Sequence, residues 1–153
     1  MALQYPIPNH RSVPEYQMSG MPYVTSSASS TEVPISTGTP IEVIFPSVTR
    51  WVCVTNTGAK SLRIGFSANG VKNHGVDGSY NITGSGGRYF ILPFHTAVGV
   101  AQPTRLEVQC NKLFFLSDDG STGTGFSLMA GLTGIPVNQY PNVTGSDEWQ
   151  GVG

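Results

Sequence analysis

Apolar residues in this chain come in short runs with a period of two, and glycine or proline punctuates the runs. Leu62, Ile64 and Phe66 alternate with Arg63, Gly65 and Ser67, and Leu106, Val108 and Cys110 alternate with Arg105, Glu107 and Gln109. A period of two sends successive side chains to opposite faces, so each run reads as a strand with one buried face. The 19 glycines and 11 prolines stand above the average use of about 7% and 5%. No stretch reads as strongly helical, so strands must complete the fold.

The expected strands cover 41–45, 50–56, 61–68, 88–92, 96–101, 104–110, 112–117 and 125–132, with a long glycine-bearing loop over 69–87. Trp51 to Thr55 is rich in β-branched and aromatic residues, which suit a pleated surface. Asn56-Thr57-Gly58-Ala59 tolerates positive φ, so Arg50 to Phe66 reads as a hairpin. Leu113-Phe114-Phe115-Leu116 is a continuous apolar run, as in a strand covered on both faces. Trp51, Leu62, Ile64, Phe66, Leu106, Val108 and Phe115 are the expected core. Around Trp51 two inward sets are open, Trp51/Cys53/Thr55 and Val52/Val54.

Short strands at regular spacing with Gly/Pro turns predict an all-β sandwich or barrel, here a single eight-stranded antiparallel jelly roll. An immunoglobulin-like sandwich competes, but it places its core tryptophan between two paired cysteines, and Trp51 precedes both Cys53 and Cys110. At 153 residues one domain with a real core is expected. The division is an extended N-terminal arm over 1–38, the jelly roll over 39–136 and a short polar C-terminal tail over 137–153. Prolines keep the arm out of helix. Its aromatic and apolar residues argue against a merely disordered tail. Tyr5, Ile7, Tyr16, Met18, Met21 and Tyr23 are therefore expected to contact another subunit or the chain's own sheet. Removing residues 1–24 should leave the β-domain folded.

Charged residues are 11% of the chain, against a typical ~25%. So little surface charge gives weak protection against association, which fits life inside an assembly. Before Arg50 the sole Lys or Arg is Arg11, so the basic stripe of a nucleic-acid binder is missing and no direct nucleic-acid contact is expected. No apolar run is long enough to predict a transmembrane segment, and no signal-peptide pattern opens the sequence. The sequons at Asn81 and Asn142 then read as chance matches. Cys53 and Cys110 are expected as buried free thiols, with a cross-sheet disulfide as the alternative.

Candidate chemistry is sparse. His10, His74 and His95 show no metal-ligand spacing and no Gly-x-Ser-x-Gly elbow is present. Gly84-Ser85-Gly86-Gly87 lacks the lysine of a phosphate loop. Asp118-Asp119-Gly120 reads as a hairpin turn before it reads as a calcium site. The expectation is a non-enzyme with no cofactor and no metal.

The segments Ile44-Phe45-Pro46, Arg50 to Gly58 and Leu62 to Val71 resemble single jelly-roll penton proteins of large icosahedral double-stranded DNA viruses. Tyr89-Phe90-Ile91-Leu92, Leu106-Glu107-Val108, Leu113 to Ser117 and Phe126 to Ile135 continue the likeness. The resemblance implies a structural virion protein that forms homopentamers at the fivefold capsid vertices. It would touch major and minor capsid proteins and be assembled into the virion in the infected host cell. The alternative is a receptor- or glycan-binding jelly-roll module of a viral spike or fibre, with Asp77, Tyr80, Asn81, Asp118 and Asp119 as weak candidates for its loops.

Overall fold

The computed structural model describes residues 21–72, 88–94 and 102–139. They form an all-β sandwich of two antiparallel four-stranded sheets. The strands are β1 (Met21–Ser26), β2 (Ile41–Ile44), β3 (Ser47–Asn56), β4 (Leu62–Gly65), β5 (Phe90–Leu92), β6 (Thr104–Leu106), β7 (Lys112–Ser117) and β8 (Phe126–Pro136). One sheet has the order β1-β8-β3-β6 and the other β2-β7-β4-β5. One helical turn, α1 (Ala68–Val71), follows β4, capped by the Ser67 hydroxyl, which accepts from the Gly70 N–H. The strand expected over 96–101 lies outside the described residues.

Side chains from both sheets fill the space between them. Val52, Val54, Leu128 and Ala130 meet Leu62, Ile64, Leu113 and Phe115, all of them buried. Phe115 of β7 stacks on Phe126 of β8 with ring centroids 4.3 Å apart, and Tyr23 of β1 meets Phe45, just after β2, edge to face at 5.2 Å. Rings at such separations add to the burial of their apolar area. Phe66, Leu106 and Val108 are only partly buried and pack against this core.

Arg50 to Phe66 does not form a hairpin. β3 pairs with β8 and β6, whereas β4 pairs with β7 and β5 in the opposite sheet. Residues 57–61 carry the chain across the sandwich. Side chains hold this corner where ladder bonds would hold a hairpin. Asn56 Nδ2 donates to the carbonyls of Lys60 (2.8 Å) and Leu92 (3.2 Å), and its Oδ1 accepts from the Gly58 N–H (3.0 Å). The Thr124 hydroxyl lies 2.7 Å from the Lys60 carbonyl and 3.1 Å from Asn56 Oδ1. The Asp118–Gly120 turn is likewise a corner and not a hairpin, since β7 and β8 lie in different sheets.

Trp51 also departs from the expected core. It is half-buried and faces outward, while Val52 and Val54 are fully buried. A bulge explains the phase. Thr49 pairs with Leu132 and Trp51 with the next residue of β8, Gly131, so Arg50 is an extra residue in β3. Thr49 is fully buried against Cys110, so unbroken alternation would have sent Trp51 and Cys53 inward. The bulge shifts that phase by one residue and turns them out.

The arm boundary also moves. β1 lies within the segment expected to be an arm, pairing with β8 from Met21↔Leu132 to Ser26↔Ser127. Val33 is fully buried in the core and bridges to Thr124. Cutting through residue 24 would therefore remove most of an edge strand. Proline is tolerated at Pro22 because β1 is an edge, where a missing donor breaks no second ladder.

Candidate functional surface

Among the described residues no group of three or more His, Cys, Asp or Glu side chains is placed to hold a metal ion. The three histidines lie outside the described residues. Asp118 and Asp119 do come together at the β7–β8 corner, but both carboxylates have partners. Asp119 Oδ1 accepts from the Ser121 N–H (2.8 Å), the Ser121 hydroxyl (2.8 Å) and the Thr122 N–H (2.7 Å). Its other oxygen meets Lys60 Nζ at 2.9 Å. Lys60 foremost, then the Ser121 and Thr122 donors, holds the Asp119 carboxyl well below the usual carboxylate range. Asp118 Oδ1 accepts from Arg63 Nε at 2.6 Å. These oxygens complete a turn and brace its neighbours.

Arg63 belongs to that brace. Its side chain is nearly fully buried on the outer face of the β2-β7-β4-β5 sheet, paired with Asp118 and lying 4.5 Å from the Tyr89 ring centroid. Beside it Val71 of α1 covers Phe114 and Leu116, with Ala68 and Tyr89 packed against them. This gives β7 its second buried face.

The outer face of the β1-β8-β3-β6 sheet differs. Val24, Met129, Cys53 and Arg105 form one row across its four strands, through the pairs Val24↔Met129, Cys53↔Met129 and Cys53↔Arg105. Val24 and Met129 are exposed, at 70% and 46%. The Arg105 guanidinium lies 4.6 Å from the centroid of the Trp51 ring, so the displaced tryptophan acts as a platform for a cation.

The two cysteines are free and differ in environment. Cys53 stands half-buried in the outer row. Cys110 is in the core, 3.3 Å from the Thr49 hydroxyl, and burial pushes its thiol up to about 11.

Of the residues expected to contact other subunits, Tyr5, Ile7, Tyr16 and Met18 lie outside the described residues. Met21 is exposed on β1. Tyr23 is not a free contact residue, because its ring packs on the chain's own Phe45. Asp77, Tyr80, Asn81 and Asn142 also lie outside the described residues. Sequence reasoning missed Val24, Met129, Phe90 and Ile91, all exposed apolar residues. Alternation in β8, with Leu128 and Ala130 inward, was the signal that turns Met129 outward. Comparison of the chain with protein-family models, curated proteins and solved structures found no match.

Proposed function

We propose that this chain is a structural subunit of a viral shell, a single jelly-roll penton protein forming homopentamers at the fivefold vertices of an icosahedral capsid. The strand order carries the reading. β1-β8-β3-β6 facing β2-β7-β4-β5, with only β4 and β5 consecutive within a sheet, supports reading the sandwich as a jelly roll of two Greek keys. That architecture recurs in capsid proteins, lectins and cupins, so the site must choose among them. A low-charge chain with exposed apolar residues suits an assembled subunit better than a catalyst. The partners on this reading are further copies of the chain and the neighbouring major and minor capsid proteins, within the virion assembled in the infected cell. The glycan-binding alternative is weakened, because Asp118 and Asp119 are occupied by Arg63, Lys60 and turn donors. Electron microscopy of the source particle tests the proposal. Five copies around each vertex are expected. Finding the chain only as soluble protein in infected cells, and none in virions, would refute it.

A further inference from the structure

The outer face of the β1-β8-β3-β6 sheet is apolar and open. Pro22, Gly131 and Trp51 stand in one row across three of its strands, and Val24, Met129 and Cys53 in the next. Pro22, Val24 and Met129 are exposed, while Trp51 and Cys53 are half-buried. Gly131 adds no side chain, which leaves a gap between the proline and the tryptophan. Neither β1 nor β8 carries a charged side chain. A contiguous apolar surface of this kind marks a contact.

An occupant lying on a sheet face finds no backbone partners there, so a segment with few backbone donors and one apolar side suits it. Residues 1–20 lie outside the described residues, and their sequence has both properties. Pro6, Pro8 and Pro14 remove donors, and Arg11 and Glu15 are the only Lys, Arg, Asp or Glu of the segment. Leu3, Tyr5 and Ile7 fall at a period of two, and Tyr5 and Ile7 each precede a proline, which favours extended backbone. Extended backbone puts all three on one side. Residues 140–153 fit less well, with Asp147 and Glu148 to desolvate and a single proline.

The attachment point favours the same segment. β1 begins at Met21 on the edge of this sheet, and Ser19-Gly20 just before it is a turn pair that lets the chain double back. The chain from Ile7 to Met21 can span up to about 46 Å. Crossing from β1 to β6 takes only about 14 Å. Tethering also gives the segment an effective concentration on the order of millimolar, which a separate partner has to match.

We propose that residues 1–20 fold back over the outer face of the chain's own β1-β8-β3-β6 sheet, with Leu3, Tyr5 and Ile7 seated against Val24, Met129 and Trp51. Of the two surfaces expected for the arm, another subunit or the chain's own sheet, this selects the second. The contact lies within one chain, so it holds whether or not that chain stands at a capsid vertex.

Trp51 and Cys53, both on the covered face, report on it. The test uses the chain carrying Trp149→Phe, in which Trp51 is the sole tryptophan, beside the same chain starting at Met21. That truncation removes no described strand. A full-length variant, Tyr5→Ser/Ile7→Ser, loosens the arm without shortening the chain. Circular dichroism establishes that all three are folded. In both variants the Trp51 emission should move to the red and its quenching by acrylamide should rise. Cys53 should take up one equivalent of a thiol reagent in every protein, but faster in the variants. An arm docked about nine-tenths of the time leaves about one-tenth of the molecules free to react, so its loss should raise the rate about tenfold. Protection in the full-length chain should not change with protein concentration. Two results would overturn the proposal: variants that match the parent in quenching and rate, or protection that fades on dilution, which would put the arm on another copy.

Discussion

The Arg50 bulge decides which face of β3 is core, and a threonine scan can read that phase directly. Threonine keeps the β-branched shape that suits a strand, so replacing successive residues leaves the backbone preference nearly constant. Val52→Thr and Val54→Thr exchange a methyl for a hydroxyl at positions that are 0% exposed. No cavity forms, and the cost is that of burying an unpaired hydroxyl, about 1–3 kcal/mol from mutational data. For a chain of this size that converts to a fall in Tm of roughly 2–12 °C. Cys53→Thr, between them on the outer face and half-buried, should cost less than either. Trp51→Thr removes a half-buried ring and its contact with exposed Arg105, worth about 0.5–1 kcal/mol. Its total should fall short of the ~3–5 kcal/mol of a fully buried large aromatic. Urea unfolding followed by far-UV circular dichroism, with m values compared to exclude changes in the unfolded state, measures the series. The expected pattern is high, low, high across Val52, Cys53 and Val54. A scan in which Cys53→Thr is the costly member would refute the bulge and restore the inward Trp51.

Further outcomes follow from the corners and the thiols. A Cβ on Gly58 would lie 2.5 Å from the Gly125 nitrogen and 2.8 Å from the Ser30 carbonyl oxygen, so Gly58→Ala should cost about 1–3 kcal/mol by overpacking, measured by thermal melt. Asp119 has a folded-state pKa below its unfolded value, so it contributes stability above about pH 4 that fades as pH falls through the folded value. Asp119→Asn should therefore lower stability at neutral pH and flatten its acid-side decline, and an unchanged slope in urea titrations across pH would count against the Lys60 pairing. Native protein should take up one equivalent of a thiol reagent, at Cys53, with Cys110 reacting only on unfolding, as peptide mass mapping would show.

Strand character was legible because alternation is local. Leu62/Ile64 and the run around Phe115 needed nothing beyond their neighbours to be read as buried. Three features were not legible, each for a physical reason. The bulge at Arg50 is a property of the β3–β8 pair, and no residue near Arg50 announces a partner lying about 80 residues away in sequence. The Asn56–Gly58 turn has hairpin chemistry, but its amide is spent on Lys60 and Leu92, so tertiary contacts turn it into a corner. β1 was masked by Pro22, which reads as a strand breaker until the strand is known to be an edge. The exposed patches were partly legible. Val24 and Met129 fall out of the alternation, whereas the side-by-side exposure of Phe90 and Ile91 depends on β5 being the last strand of its sheet.

The corners have a consequence for how such a molecule can assemble. Ser30, Gly58, Thr124 and Gly125 approach one another at one end of the sandwich, joining the β1–β2, β3–β4 and β7–β8 connections. At the other end Phe45 N–H donates to the Asn111 carbonyl at 2.9 Å and the Cys110 N–H to the Thr49 hydroxyl at 3.0 Å, tying the β2–β3 and β6–β7 connections. Because nearly every connection crosses between sheets, the described turns gather at the two ends of the sandwich. Assembly through the ends would have to accommodate tightly bonded turns, in which Gly58 has no room even for a methyl group. Assembly through the sheet edges would instead meet β1, β2 and β5, which carry exposed apolar side chains and each pair with a single strand among the described residues.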